Sequence, residues 1–168
     1  QFLQHLGSRL EDSGSIVRAA YEEGVRIFCP AIADSVLGFQ IWMNSQFSKL
    51  NVNPILDQRE MTAIAYESER CGAIFVGGGT PKHYIALAMQ FSPRSLDYAI
   101  QITMDRPEHG GVSGATLSEA KSWGKVSEEA ETVEVICEAT IALPLIVAAA
   151  LDHVNDTTEH LNTKINIK

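Results

Sequence analysis

Three short segments of this sequence bring together residue types that can do chemistry. The first is Gly77-Gly78-Gly79-Thr80-Pro81-Lys82-His83. Glycines behind an apolar run let the backbone approach a ligand closely. The helix expected to follow offers free N–H groups and a positive dipole end to a phosphate. The spacing is neither G-x-G-x-x-G nor the Walker form, and a tight strand-to-helix turn uses the same glycines equally well. The second is the polar loop 105–114, which holds two carboxylates (Asp105 and Glu108), Arg106, His109 and the adjacent Gly110 and Gly111. Long loops in compact domains often carry function, although a solvated surface loop has the same composition. The third is Glu119-Ala120-Lys121-Ser122-Trp123-Gly124-Lys125. A lysine two residues from a tryptophan can rest against an apolar wall, where desolvation favours the neutral amine that Schiff-base chemistry requires. On composition alone, an exposed lysine at the negative end of a short helix is the simpler reading.

The elements that must position these residues alternate along the chain. Apolar spacing predicts helices over 14–23, 35–47 and 55–70, the second capped by Asp34 or Ser35. Short strands are expected at Val25-Arg26-Ile27-Phe28 and Ala73-Ile74-Phe75-Val76. A helix capped by Thr80 with Pro81 at its first position follows the glycines. Further strands are expected over 96–102 and 132–137, with a short helix from Ser118 between them. A last helix runs over 139–154, and 155–168 reads as a polar, mobile tail. Alternation of this kind predicts an α/β fold with a parallel sheet, right-handed crossovers and ligands beyond the carboxyl ends of the strands. Asp34 and Glu138 stand just past expected strand ends. Carboxylates there can hold ribose hydroxyls, though lone ones more often cap helices. Met43, Met61 and Met89 are expected in the core. His5, His153 and His160 lie in terminal segments and receive no role.

The composition narrows the function further. The 168 residues are 45% hydrophobic and 20% charged, which excludes wholesale disorder. Thirteen basic against 21 acidic residues leave a net charge of −8, a poor match for nucleic acid or anionic membrane and a better one for cations such as polyamines. Cys29, Cys71 and Cys137 are far apart and form no metal-ligand pair, so buried, reduced thiols in a cytoplasmic protein are expected. No unbroken apolar run reaches the roughly 18 residues of a membrane span, and 141–151 reads as a buried helix. No secretory leader is expected, and because the first residue is Gln1 the chain is expected to be processed, truncated or partial. Residues 1–154 read as part of one domain.

Taken together, Phe28-Cys29-Pro30-Ala31-Ile32-Ala33-Asp34-Ser35-Val36-Leu37-Gly38, residues 77–85, Ser113-Gly114-Ala115 and residues 119–125 resemble the carboxyl-terminal half of deoxyhypusine synthase. The resemblance covers most of residues 6–152. It implies a Rossmann-like parallel sheet with flanking helices, an NAD cofactor and a tetramer with sites built across subunits. The implied reaction moves the aminobutyl group of spermidine, through an imine on an enzyme lysine, to a lysine of the translation initiation factor five-A precursor. By the same resemblance Lys125 is the nucleophile, His83 handles or positions a proton, and Trp123 stacks along the polyamine. Glu119 anchors an ammonium, with Gly110 and Gly111 in the amine site. Asp34, Gly78, Met104, Glu138 and Ala139 contact NAD. No metal is expected. The amino-terminal half of the family's fold is absent from this sequence, so a homotetramer or an assembly with that half is expected.

Two positions depart from the eukaryotic pattern. Phe39 and Val112 stand where those members carry acidic residues, so either other acids compensate, with Asp105 and Glu108 in reach, or the amine substrate differs. The loop 103–114 resembles a prokaryotic branch that includes enzymes transferring the aminobutyl group to putrescine, giving homospermidine. The alternatives are therefore a homospermidine synthase-like enzyme, an inert paralogue in a mixed tetramer, or a nucleotide-binding module without chemistry.

Overall fold

The computed structural model describes residues 2–165, with side chains through Asp156. The side chain of His160 and the end of the tail, 166–168, lie outside that description. The chain packs as two compact units that meet in sequence at Ile64 and Ala65.

The first unit is helical. It contains α1 (Phe2–Gly7), α2 (Ile16–Glu22), a 3-10 turn (Ile32–Asp34), α3 (Val36–Ser45) and most of α4 (Ile55–Glu67). Ser15 caps α2 by accepting from the Arg18 N–H. Ser35 caps α3: its hydroxyl accepts from the Gly38 N–H at 3.0 Å and donates to the Ile32 carbonyl at 2.6 Å. Asp34 is therefore not the cap, and its carboxylate is exposed. The strand expected over 25–28 does not form; the segment carries no regular secondary structure, and the Val25 N–H donates to the Ala20 carbonyl at 2.8 Å, closing the end of α2. A β-strand needs a ladder of N–H and C=O groups shared with a neighbouring strand, and no strand is assigned in this unit among the described residues.

The second unit is the α/β part. Its three strands, β1 (Gly72–Val76), β2 (Leu96–Thr103) and β3 (Val126–Ile136), lie in the order β1-β2-β3 and pair in parallel. Between them run α5 (Thr80–Gln90) and α6 (Leu117–Ser122), and α7 (Ala139–Ile165) follows. β2 is central and its core residues Leu96, Ala99 and Ile102 are almost fully buried. Sequential parallel strands joined by crossovers of one hand place α5 and α6 on the same face of the sheet. The unit is consistent with a Rossmann-like fold.

Several expectations change here. Gly79, not Thr80, stands at the N-cap of α5, and no side chain caps it. β3 begins six residues before the expected Thr132, and α7 continues to Ile165 rather than stopping at Val154. The helix expected to be buried over 141–151 is largely exposed, with Ile141 at 60%, Leu145 at 68% and Leu151 at 58%. By length and composition alone its stretch Ala139–Asp156, of mean hydropathy 1.2, could cross a membrane. Such a stretch also describes a helix that packs on other protein, and Pro144 sits inside it. The three cysteines are free and half-buried rather than buried, and of the methionines expected in the core Met89 is buried while Met43 is 43% exposed.

Candidate active site

Parallel pairing aligns the carboxyl ends of the strands: Val76 stands opposite Ile102, and Thr103 opposite Ile136. Three turns therefore open at one edge, carrying Gly77-Gly78-Gly79, Met104 and Glu138-Ala139. The glycine turn cannot carry side chains. Gly77 and Gly79 have φ of 77° and 72°, a region that favours glycine. A Cβ on Gly78 would overlap Ser113, so the turn packs directly on the loop after β2. Met104 is 65% exposed at this edge. Glu138 caps α7, its Oε2 accepting from the Thr140 N–H at 2.9 Å and from the Thr140 hydroxyl.

The loop 103–116 is ordered by its own polar groups. Asp105 accepts from the Arg106 N–H at 2.9 Å and from the Ser113 hydroxyl, and meets His109 Nδ1 at 2.5 Å. These hydrogen bonds, that of Ser113 first, hold the Asp105 carboxyl down to about 2. Asp105 is thus committed to the loop, and neither it nor Glu108 lines the cavity described next. The lining of that cavity gives the expected compensation for Val112 by these two acids no support. Val112 itself lines that cavity.

A cavity of about 410 Å³ lies between α5, this loop and α6. His83 enters from α5, Gly110 and Gly111 from the loop, Glu119 from α6, and Trp123 and Lys125 from the turn that follows it. Thr116 caps α6 by accepting from the Glu119 N–H at 3.1 Å, and the Glu134 carboxylate accepts from the Leu117 N–H at 2.6 Å. These bonds fix the first turn that carries Glu119. Gly124 then turns the chain, and the Lys125 carbonyl accepts from the Leu96 N–H at 3.2 Å. Lys125 is anchored at the amino end of β3, so the cavity runs along the sheet face and not only beyond its carboxyl edge. Lys125 Nζ lies 5.9 Å from the Trp123 ring centroid. Lys125 is half-buried, whereas Trp123 is 61% exposed and both Glu119 and His83 are exposed.

All six residues expected at an amine site therefore line one cavity. Of the five expected at a nucleotide, Gly78, Met104, Glu138 and Ala139 share one edge of the sheet. Asp34 belongs to the first unit. Sequence reasoning missed Lys82, a buried residue that lines the cavity, and Gln101, its partner on β2. A signal was present: Lys82, Ala86 and Met89 stand at i, i+4 and i+7, the period of an inward helix face.

Comparison with known proteins agrees with this arrangement. Residues 1–150 match the family described as deoxyhypusine synthase. The chain belongs to the deoxyhypusine synthase family. It is 52% identical over 149 residues to probable deoxyhypusine synthase 1 of Methanosarcina acetivorans, covering 89% of this chain and 47% of that protein. It is 45% identical over 154 residues to probable deoxyhypusine synthase 2 of Archaeoglobus fulgidus, covering 87% of this chain and 51% of the relative. Against probable deoxyhypusine synthase of Methanothermobacter thermautotrophicus the identity is 42% over 151 residues, covering 90% of this chain and 49% of the relative. The chain thus spans about half the length of the curated relatives it matches.

Proposed function

We propose that the intact protein transfers the aminobutyl group of spermidine, through an imine on Lys125, to a lysine of the translation initiation factor five-A precursor in the cytoplasm. The observation that carries this reading is the meeting of Lys125, Trp123, Glu119 and His83 around one cavity. NAD is the proposed cofactor; when bound, it takes a hydride from the amine carbon and later returns it. The residues at the sheet edge fit such a group. The side-chain-free turn at Gly77-Gly78-Gly79 opens an 11-residue helix whose N-terminus no side chain caps, which suits a phosphate. Met104, Glu138 and Ala139 are the further contacts we assign to it.

Within this chain the chemistry divides as follows. Lys125 supplies a neutral amine that adds to the oxidised carbon of the substrate; 1,3-diaminopropane leaves, and the four-carbon unit stays on Lys125 as an imine. The incoming lysine amine displaces Lys125 in the same way, which frees it for another turnover. His83, on the cavity wall, carries a proton between the amines. The Trp123 face attracts the ammonium groups of the polyamine. The Glu119 carboxylate takes a terminal ammonium. The half of the family's length that lies outside this chain, and assembly into a homotetramer, complete the enclosure that exposed Trp123 requires. Transfer to putrescine, giving homospermidine, is the second reading, favoured by Val112 at the cavity wall.

The test is chemical trapping. The intact protein is incubated with NAD and spermidine without acceptor, reduced with borohydride and digested for peptide masses. A reduced aminobutyl adduct on the Lys125 peptide is expected, absent in Lys125→Ala. No adduct with NAD bound would overturn the reading and point to an inert paralogue. Supplying the protein acceptor or putrescine to the loaded enzyme then separates the two acceptors.

A further inference from the structure

We infer that Lys82 is a positioning residue: its buried ammonium latches the segment 112–115 onto β2 and so sets one wall of the cavity that holds Lys125. Lys82 is only 7% exposed. Its Nζ donates to the Gln101 side-chain oxygen at 3.0 Å, to the Val112 carbonyl at 3.2 Å and to the Ala115 carbonyl at 2.5 Å. An ammonium has three protons, and all three are used. Gln101, itself 2% exposed, turns its amide to the Ser113 carbonyl at 2.9 Å. Three consecutive stretches of one loop backbone are thus held from beneath by two side chains, one on α5 and one on β2.

The acceptors are all neutral, which is unusual for a buried lysine. Desolvation accordingly pushes the Lys82 ammonium down from its ordinary range, with Glu134 and Glu119 opposing and Lys125 adding to it. A structural cation placed for stability alone would be better served by a carboxylate partner. Neutral carbonyls in place of a carboxylate serve geometry, because they tie down main chain that no side chain could hold. That main chain includes Gly114, where a Cβ would overlap the Arg106 backbone, so the loop is already folded tightly upon itself. Gly110 and Gly111 line the cavity immediately before the latched stretch, and Val112 and Ala115 line it from within that stretch.

The test compares Lys82→Met and Gln101→Leu with the wild type in the intact protein, by hydrogen exchange and by steady-state kinetics. The Gly114 and Ala115 amides, both bonded to the Gly111 carbonyl, report the loop directly. Their exchange is expected to speed up at least about tenfold in Lys82→Met, the scale of one lost charged hydrogen bond, and by less in Gln101→Leu. The KM for the amine is expected to rise by about the same factor with kcat within about twofold, since a loosened wall weakens binding common to ground and transition states. A merely structural role would lower kcat through loss of folded enzyme and leave KM unchanged. Lys82→Arg does not rescue, because a planar guanidinium cannot aim three donors at these oxygens. The kinetic arm rests on the proposed amine reaction; the exchange arm does not. If wild type yields no adduct on Lys125, that reading fails while exchange still decides the latch. Unchanged exchange at Gly114 and Ala115 in both variants, or a fall in kcat with constant KM, would overturn the inference. Should Lys82→Met not fold, Gln101→Leu decides it alone.

Discussion

Lys125 and Trp123 form a pair whose strength can be anticipated from geometry. The ammonium-to-ring distance of 5.9 Å is near the limit of a cation–π contact, and Trp123 is exposed in this chain. For a polyamine held at the same ring, Trp123→Ala is expected to raise KM about two- to fivefold, matching the roughly 0.5–1 kcal/mol of an exposed cation–π contact. A saturation curve for spermidine in the intact protein checks this, and a larger loss would mean that the ring also shapes the cavity. Asp105 allows a prediction in pH. Its folded value near 2 lies below the ordinary carboxyl range, so its contribution to loop order is full above about pH 4. As pH falls toward 2 the carboxyl protonates, and the bonds from Ser113 and His109 weaken. A carbon-detected NMR titration should place the Asp105 midpoint near 2; a midpoint near 4 would mean that the loop bonds are not formed in solution. The candidate cavity was legible at this scale only through the family resemblance that residues 119–125 help carry, since by composition alone Lys125 reads as an exposed lysine at a helix end. Lys82 was not, because lysine reads as a surface residue until its place on the helix face is counted.

At the scale of elements, the short apolar runs Ala73-Ile74-Phe75-Val76, closed by the glycine turn, and Tyr98-Ala99-Ile100 made β1 and β2 legible, since parallel strands are rich in apolar and β-branched residues. The first half of β3, Ser127-Glu128-Glu129-Ala130-Glu131, was not legible. It is polar at this end, and its register against β2 is irregular near Leu96 and Tyr98. The expected strand over 25–28 failed for the opposite reason: its residues suit a strand, but pairing depends on a neighbour that local sequence does not reveal. Caps were half-legible. Ser35 and Thr116 follow the rule for side-chain oxygens, whereas the glycine turn leaves α5 uncapped. Two substitutions test these arguments. Thr116→Ala removes the cap of α6 and is expected to cost about 1 kcal/mol of stability, read from denaturant midpoints. Gly78→Ala drives a methyl into Ser113 and is expected to cost about 1–3 kcal/mol, while also weakening NAD binding measured by fluorescence. A neutral outcome at Gly78 would mean that the turn and the loop do not touch.

The second unit by itself leaves much apolar surface uncovered. Ile74 and Val76 on β1, Val133 and Ile136 on β3, and Ile141, Leu145 and Leu151 on α7 are all more than 45% exposed. Exposed apolar surface of that kind favours association, because its removal from water is favourable at roughly 25 cal/mol per Å². The net charge of −8 opposes association, since like chains repel. The two effects respond differently to salt. Repulsion between exposed charges fades as the screening length falls from about 30 Å at 0.01 M to about 3 Å at 1 M, while apolar burial does not. The 168-residue chain expressed on its own is therefore expected to self-associate at micromolar concentration, and more strongly as salt is raised. Sedimentation velocity at low and high salt checks the sign directly. Association that weakens with salt would mean that ion pairs hold the copies together. A monomer at every salt concentration would mean that α7 folds back over the sheet and that the exposed faces do not persist in solution. The intact protein, in which the rest of the family's length is present, is expected to show a fixed stoichiometry across the same salt range, because its apolar faces are then satisfied by defined partners rather than by collision.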